Sequence, residues 1–129
     1  MNKKIPKIIR EVGFDFWWSN RKVRKLDYPP EKMNISELEW HFDIPFWNTK
    51  GGRYDLSPNE VMKFPEKHRE EYGRAMKSDL RHPLDIMKNK GRWLMLDGLH
   101  RLVKCKILGC KKVRVRKIPR SGIKGALKK

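Results

Sequence analysis

The chain has 129 residues, of which 38% are hydrophobic, and this apolar content supports one folded domain and excludes wholesale disorder. No apolar run approaches the roughly 18 residues that span a bilayer, and the charged residues 1–10 do not resemble a signal peptide, so we expect no membrane partner. The two cysteines, Cys105 and Cys110, fit neither a CxxC nor a zinc spacing, which indicates reduced thiols in a cytoplasmic protein.

The formal net charge of +17 is concentrated towards the end of the chain. Residues 98–129 contain twelve Lys or Arg and no acid. Such a cationic segment attracts polyanions with an affinity that depends on salt. The charge therefore favours nucleic acid or a phosphorylated ligand as the partner, and the alternative is a solvated face without one.

Residues 1–33 are interpreted as a basic and aromatic N-terminal extension. Its consecutive aromatic side chains precede a run of cations, and they are Phe14, Phe16, Trp17 and Trp18. These aromatics either cover one side of the core or stack on nucleic-acid bases. Tyr28-Pro29-Pro30 is expected to be extended, because proline restricts the residue before it.

Residues 34–118 are expected to form the core domain, which begins with a short strand or turn over residues 34–47 that opens at Ile35. A helix start follows, with Ser57 as the N-cap, Pro58 in the first position and Glu60 in the third.

Phe64-Pro65 ends that helix, and a second helix is predicted from Glu66 to about Leu80. Acids lie early in this second segment and cations lie late, as the helix dipole favours.

The second half of the core alternates strands and one helix. Strands are predicted over residues 84–87, 93–96 and 113–116, with an Asn89-Lys90-Gly91 turn between the first two. An amphipathic helix is predicted over residues 99–108, ended by Gly109.

In the last predicted strand, alternation places Val113 and Val115 inward and both Arg114 and Arg116 outward. The strands at 93–96 and 113–116 are expected to be neighbours joined by a right-handed crossover. Residues 119–129 are expected to be a loose basic tail. The sequence thus predicts an α+β domain, with a small mixed sheet and helices packed on it.

The turn from Asp97 to Arg101 is the predicted phosphate-binding corner. A helix beginning after a buried strand presents unpaired N–H groups and a positive dipole end, which together bind anions. Gly98 and Leu99 supply backbone N–H groups, and His100 and Arg101 supply side-chain donors. Asp97 is a candidate metal ligand or a partner that orients His100. The alternative is that Asp97 only caps the helix while His100 and Arg101 face solvent.

Leu96-Asp97-Gly98-Leu99-His100-Arg101, with Gly109 eight residues later and a basic strand beyond, resembles the ParB/sulfiredoxin superfamily. Members carry a Gly-x-[His/Arg]-Arg box at the start of a helix. The resemblance is best over residues 84–118 and extends more weakly to Ile35-Ser36-Glu37-Leu38, which is similar to the family's opening strand. It implies a compact α+β domain that binds a nucleotide or phosphate at the box.

Departures from the family's branches narrow the expected chemistry. Sulfiredoxins carry a catalytic cysteine where this chain has Leu99, so reduction of sulfinic acid is not expected. Partition-type ParB proteins carry Arg-Arg in the box, and this chain has His100 in place of the first arginine. We expect no helix-turn-helix domain after residue 129. Serine kinases of the superfamily carry Asp-Gly-His-His-Arg, which this chain matches except at Leu99.

The kinase-like branch implies a nucleotide (ATP, ADP or CTP) and Mg²⁺ as cofactors. Asp97 would hold the metal ion and act with His100 as a catalytic residue. An upstream glutamate would be the general base, and Glu37 and Glu39 are both candidates. His41 and Asp43 lie near in sequence and are left undecided.

Two functions from different classes remain open. The first is a phosphotransferase or a phosphodiesterase (nuclease) that uses the Asp97–Arg101 box. The second is a non-catalytic DNA- or RNA-binding module in which the box holds one backbone phosphate. The cations expected to contact nucleic acid are Lys104, Lys111, Lys112, Arg114 and Arg116, with Lys106, Lys117 and Arg120 as further members of the basic end.

Overall fold

The computed structural model describes residues 7–12 and 18–126 of the chain. Five helices and four strands are present in these ranges. The helices are α1 (Lys7–Val12), α2 (Asn20–Arg24), α3 (Pro58–Lys63), α4 (Arg69–Lys77) and α5 (Leu99–Ile107). The strands are β1 (Pro30–Asn34), β2 (Leu84–Asn89), β3 (Arg92–Asp97) and β4 (Lys112–Lys117). Short 3₁₀ helices occupy Ile35–Glu37, Glu39–Asp43 and Arg120–Ala126. The predicted α+β class is confirmed.

The four strands form one mixed sheet in the order β1-β4-β2-β3. β4 pairs antiparallel with β1 and parallel with β2, and β2 pairs antiparallel with β3. The prediction that residues 93–96 and 113–116 are adjacent strands is therefore wrong, because β2 lies between them. The tight Lys90-Gly91 hairpin pairs β3 with β2, which leaves the other edge of β2 for β4.

Helices pack on both faces of the sheet, and each of the two layers has its own core. The main core packs β1, β2 and β4 against α3, α4 and α5; its fully buried members include Leu38, Val61, Ile86, Leu102, Val103 and Val115. On the opposite face, α2 and the last 3₁₀ helix cover Met87 and Leu96. Among the described residues, no helix has the length and apolar character to cross a membrane.

Signals that act over a few residues are borne out. Ser57 Oγ accepts a hydrogen bond from the Glu60 N–H at 3.2 Å, and α3 ends at Lys63, directly before Phe64-Pro65. Gly109 follows α5 with φ of +82°, and Lys90 and Gly91 adopt φ of +52° and +83° in the β2–β3 hairpin. These conformations are the left-handed ones that a helix end and a two-residue hairpin turn require.

Several predicted boundaries differ from the structure. Of the strand or turn expected to open at Ile35, the structure has the turn, because β1 ends at Asn34 and residues 35–37 form a 3₁₀ helix. α4 begins at Arg69 and not at Glu66, since residues 65–68 form turns. Residues 120–126 are helical where a loose tail was expected, because Ile123 and Ala126 are buried against α2 and the sheet. Phe14, Phe16 and Trp17 lie outside the described residues.

Candidate functional site

The first turn of α5 is open to a ligand. β3 ends at Asp97, and Gly98 precedes the helix with φ of +118° and provides no side-chain cap. The first intrahelical bond runs from the Leu102 N–H to the Gly98 carbonyl at 2.9 Å. The backbone N–H groups of residues 99–101 therefore lie before the first intrahelical hydrogen bond, at the positive end of the helix dipole.

Only glycine fits comfortably at position 98. Its φ lies in the region that side chains rarely adopt, and a Cβ there would stand 2.8 Å from Leu84 Cδ2. The glycine lets the turn pack tightly on the start of β2 while its backbone stays accessible.

Asp97 lies between two guanidinium groups. Its Oδ2 is 3.2 Å from Arg24 Nε and 3.0 Å from Arg101 Nη2, and its side chain is 12% exposed. Arg101 also donates to the carbonyl oxygens of Pro83 at 2.7 Å and His82 at 3.1 Å. Arg101 therefore holds the turn in place. Arg24, which no sequence pattern assigns to this turn, is the more exposed cation beside it.

This environment does not fit a Mg²⁺ ion held by the protein. Two cations already neutralise Asp97, and no group of three or more His, Cys, Asp or Glu in the described part of the chain is placed to hold a metal. A Mg²⁺ ion at this turn would have to arrive with the phosphates of a nucleotide.

His100 is fixed by two partners from distant segments. Its Nε2 lies 2.8 Å from Glu71 Oε1, and its ring stacks on Trp47 with centroids 4.5 Å apart and planes inclined by 14°. The His100 side chain is 33% exposed, whereas that of Glu71 is 13% exposed. Arg74 Nη1 approaches Glu71 at 3.5 Å from the same helix. Glu71 thus contacts His100, whereas the predicted upstream glutamates, Glu37 and Glu39, do not.

A cavity of about 300 Å³ adjoins the α5 turn. Trp18, Phe46, Trp47 and Tyr54 supply four aromatic side chains to its lining, and the ring of His41 is a fifth member. The backbone of residues 97–100 closes one side. The Trp18 indole N–H donates to the Leu96 carbonyl at 2.9 Å, which fixes that wall to the end of β3. The cavity therefore combines flat apolar surfaces with an uncapped helix start.

The chain was compared with models of protein families, with curated proteins and with solved structures. Nothing matches it. The resemblance to the ParB/sulfiredoxin superfamily stays a prediction, carried by Asp97, Gly98, His100 and Arg101 at the start of a helix that follows a buried strand.

The candidate acids upstream lie away from this turn. Glu39 Oε2 accepts from Lys106 Nζ at 2.5 Å, which places it near the carboxyl end of α5, and Glu37 is exposed in its 3₁₀ helix. Asp43 is exposed and bonds Asn59. His41 is fully buried, donates from Nδ1 to the Leu38 carbonyl and accepts the Met95 N–H at Nε2.

The basic residues differ in how far the protein itself binds them. Lys111, Lys112 and Arg114 are exposed, and of these Arg114 donates to the Arg81 carbonyl at 3.1 Å. The remainder bind groups of the protein, as follows: Lys104 the Ser78 carbonyl, Lys106 Glu39, Arg116 Asp85, Lys117 Glu31 and Arg120 Asn89. Arg114 is thus exposed as expected, whereas the face of Arg116 is covered by α2 and its side chain is 12% exposed.

The two cysteines are free. Partial burial, together with the nearby Cys110, raises the pKa of the Cys105 thiol to about 11. Cys105 therefore stays protonated at neutral pH and is a poor nucleophile.

Proposed function

We propose that this chain binds the phosphate of a nucleotide, free or within nucleic acid, at the first turn of α5. The observation that carries the proposal is the uncapped helix start at Gly98, placed at the wall of the aromatic cavity. Backbone N–H groups and the helix dipole suit a phosphate, and flat aromatic walls suit a base.

The charges around the turn support the same ligand. Arg24 and Arg101 bring two positive charges to one carboxylate at Asp97, so the turn carries a net positive charge. The Arg24 side chain is 61% exposed and can shift towards a bound phosphate, whereas Arg101 is held by carbonyl groups. ATP, ADP and CTP, with and without Mg²⁺, are the appropriate probes.

The substitution Asn20→Asp tests this site with little risk to the fold. Asn20 is exposed, lines the cavity and is the first residue of α2, where an acid interacts favourably with the helix dipole. Its added negative charge should repel a phosphate at the α5 turn. We expect nucleotide affinity to fall by about tenfold, measured as loss of the ligand-induced rise in Tm.

Ser36→Asp is the matched control. It adds the same charge at an exposed position near Gly109, beyond the carboxyl end of α5. Nucleotide binding should match that of the unmodified chain. Equal loss in both variants contradicts the proposal, as does an unmodified chain that binds neither a nucleotide nor an oligonucleotide.

A phosphotransferase or phosphodiesterase activity is the second candidate function, favoured by the His100–Glu71 pair. A carboxylate hydrogen-bonded to one imidazole nitrogen orients the ring and leaves the other nitrogen to accept a proton. Whether a bound phosphoryl group is transferred to an acceptor or to water, such a base would take the proton from the attacking hydroxyl.

For that activity, Glu71→Gln should reduce turnover by about 10²–10⁴-fold and leave nucleotide affinity nearly unchanged. Phosphate release and oligonucleotide cleavage are the two assays. Glu37→Gln is the control and should keep full turnover, since Glu37 lies on a separate exposed 3₁₀ helix. Absence of turnover in the unmodified chain would leave binding as the whole function.

A further inference from the structure

One face of the β1–β4 ribbon is an exposed cationic surface. Met33, Val113 and Val115 point into the main core, so the intervening residues of the two strands point to the other side of the sheet. Those residues form the basic ribbon, which consists of Lys32, Asn34, Lys112 and Arg114, all exposed. Lys32 stands directly opposite Arg114, and Asn34 directly opposite Lys112.

The second core layer leaves this ribbon open. That layer packs on Met87 of β2 and Leu96 of β3, and it includes no residue of β1. Its boundary on β4 is Arg116, which binds Asp85 and the Val23 carbonyl beneath α2. The two residues of β4 that precede it on this face are uncovered.

The ribbon carries charge that the described residues do not balance. Lys32, Lys112 and Arg114 take part in no ion pair within the described ranges, and Arg114 makes one hydrogen bond to the Arg81 carbonyl.

The acids on neighbouring elements have other partners: Glu31 binds Lys117, Asp85 binds Arg116 and Asp79 binds Arg81. Like charges directly opposite in an antiparallel pair are destabilising, so Lys32 and Arg114 are costly to the fold.

We propose that the basic ribbon binds the phosphodiester backbone of a nucleic acid. Its side chains are about 7 Å apart along a strand and about 5 Å apart across the pair. None of the exposed large apolar residues, Ile8, Phe64 and Leu108, belongs to it. A lipid surface or a protein partner would bury apolar area, whereas phosphate contacts require only charge and impose no sequence preference.

This surface is separate from the α5 turn. The ribbon is at one edge of the sheet, the turn follows β3 at the other edge, and β2 lies between them. The proposal therefore goes beyond the nucleotide site and can fail or hold independently of it.

The substitution Lys32→Glu should have opposite effects on stability and binding. An opposite-charge pair with Arg114 replaces a like-charge pair, so Tm should rise by about 2–4 °C. Binding to a labelled 20-base-pair duplex and to its single strand should weaken for all sequences tested. The slope of log affinity against log salt concentration should fall by about one phosphate contact.

Lys50→Glu is the matched control, because it makes the same charge change in an exposed loop before α3. It should weaken nucleic-acid binding less than Lys32→Glu and leave the salt slope unchanged, and both variants should retain nucleotide binding. Equal slopes in the two variants would overturn the proposal, as would binding of polyglutamate or of anionic vesicles as tight as that of the duplex.

Discussion

Replacing Arg116 with alanine should lower the free energy of unfolding by about 3–5 kcal/mol. Arg116 Nε donates to Asp85 Oδ1 at 2.6 Å, Nη2 donates to the Val23 carbonyl at 2.9 Å, and Nη1 donates to the Leu26 carbonyl. The Asp85 side chain is 3% exposed, so the substitution leaves a buried carboxylate and two carbonyl groups without this partner. α2 would also lose its polar attachment to β4.

Urea unfolding of the variant measures this loss. Arg114→Ala is the control on the same strand and the same face, and we expect a change within about 0.5 kcal/mol because Arg114 is exposed. The double variant Asp85→Ala/Arg116→Ala should be more stable than Arg116→Ala alone, since the unpaired charge is gone. A small effect of Arg116→Ala, similar to that of Arg114→Ala, would show that the pair does not attach α2.

Stability should fall on acidification between about pH 6.5 and pH 4 because of His41. Burial lowers the pKa of His41 from 6.5 to about 4, against the opposing effect of its bond to the Leu38 carbonyl, and the charge of Arg92 adds to the lowering. The geometry agrees, because Nε2 accepts the Met95 N–H at 2.9 Å and cannot also carry a proton. Between these pH values the unfolded chain binds a proton at His41 and the folded chain does not. The free energy of unfolding therefore falls by about 3 kcal/mol across this pH range.

The measurement is urea unfolding at several pH values, compared with the variant His41→Gln. Above pH 6.5 the contribution of His41 to the stability of the unmodified chain should be fully present, and below about pH 4 its loss should level off. The glutamine variant should be less stable at pH 7, because it cannot match both bonds of the imidazole, but its decline between pH 6.5 and 4 should be shallower. Parallel pH curves for the two proteins would mean that other groups cause the decline.

The elements that could be predicted from the sequence are those determined by neighbours in the chain. A capping serine, a proline in the first helical position and a glycine after a helix each act within one turn, and α3 begins and α5 ends where these signals lie. The alternation of Val113 and Val115 likewise identified the core face of β4.

The parts that were missed depend on residues far apart. β1 begins with Pro30 and contains two charged residues, so its pattern is not that of a strand; its ladder with β4 makes it one, and an edge strand tolerates the proline. Residues 120–126 are helical because they pack against α2. The alternation of β4 predicts an exposed Arg116, because no residue near it in the sequence indicates that α2 covers that face of the strand.

The candidate site divides in the same way. The Asp97–Arg101 turn followed from the buried strand, the glycine and the helix after them. The roles of Glu71 and Trp47 could not be predicted in this way. The His100–Glu71 pair depends on the packing of α4 against α5, and the stack of His100 on Trp47 depends on a distant loop. Glu71 is recognisable in the sequence as an acid early in α4, but the helix dipole is already a sufficient reason for an acid at that position.

The place of β4 in the sheet has a consequence for how the chain is made. β4 lies between β1 and β2 although it follows all three other strands of the sheet in the chain, and Arg116 binds a carbonyl 93 residues earlier. At about 5–20 residues per second, roughly 5–20 s separate the synthesis of these two partners. During that interval the nascent β1 segment and the β2–β3 hairpin both expose unpaired edges. Completion of the sheet therefore waits for the synthesis of β4, and until β4 inserts these edges are open to aggregation and to chaperone binding.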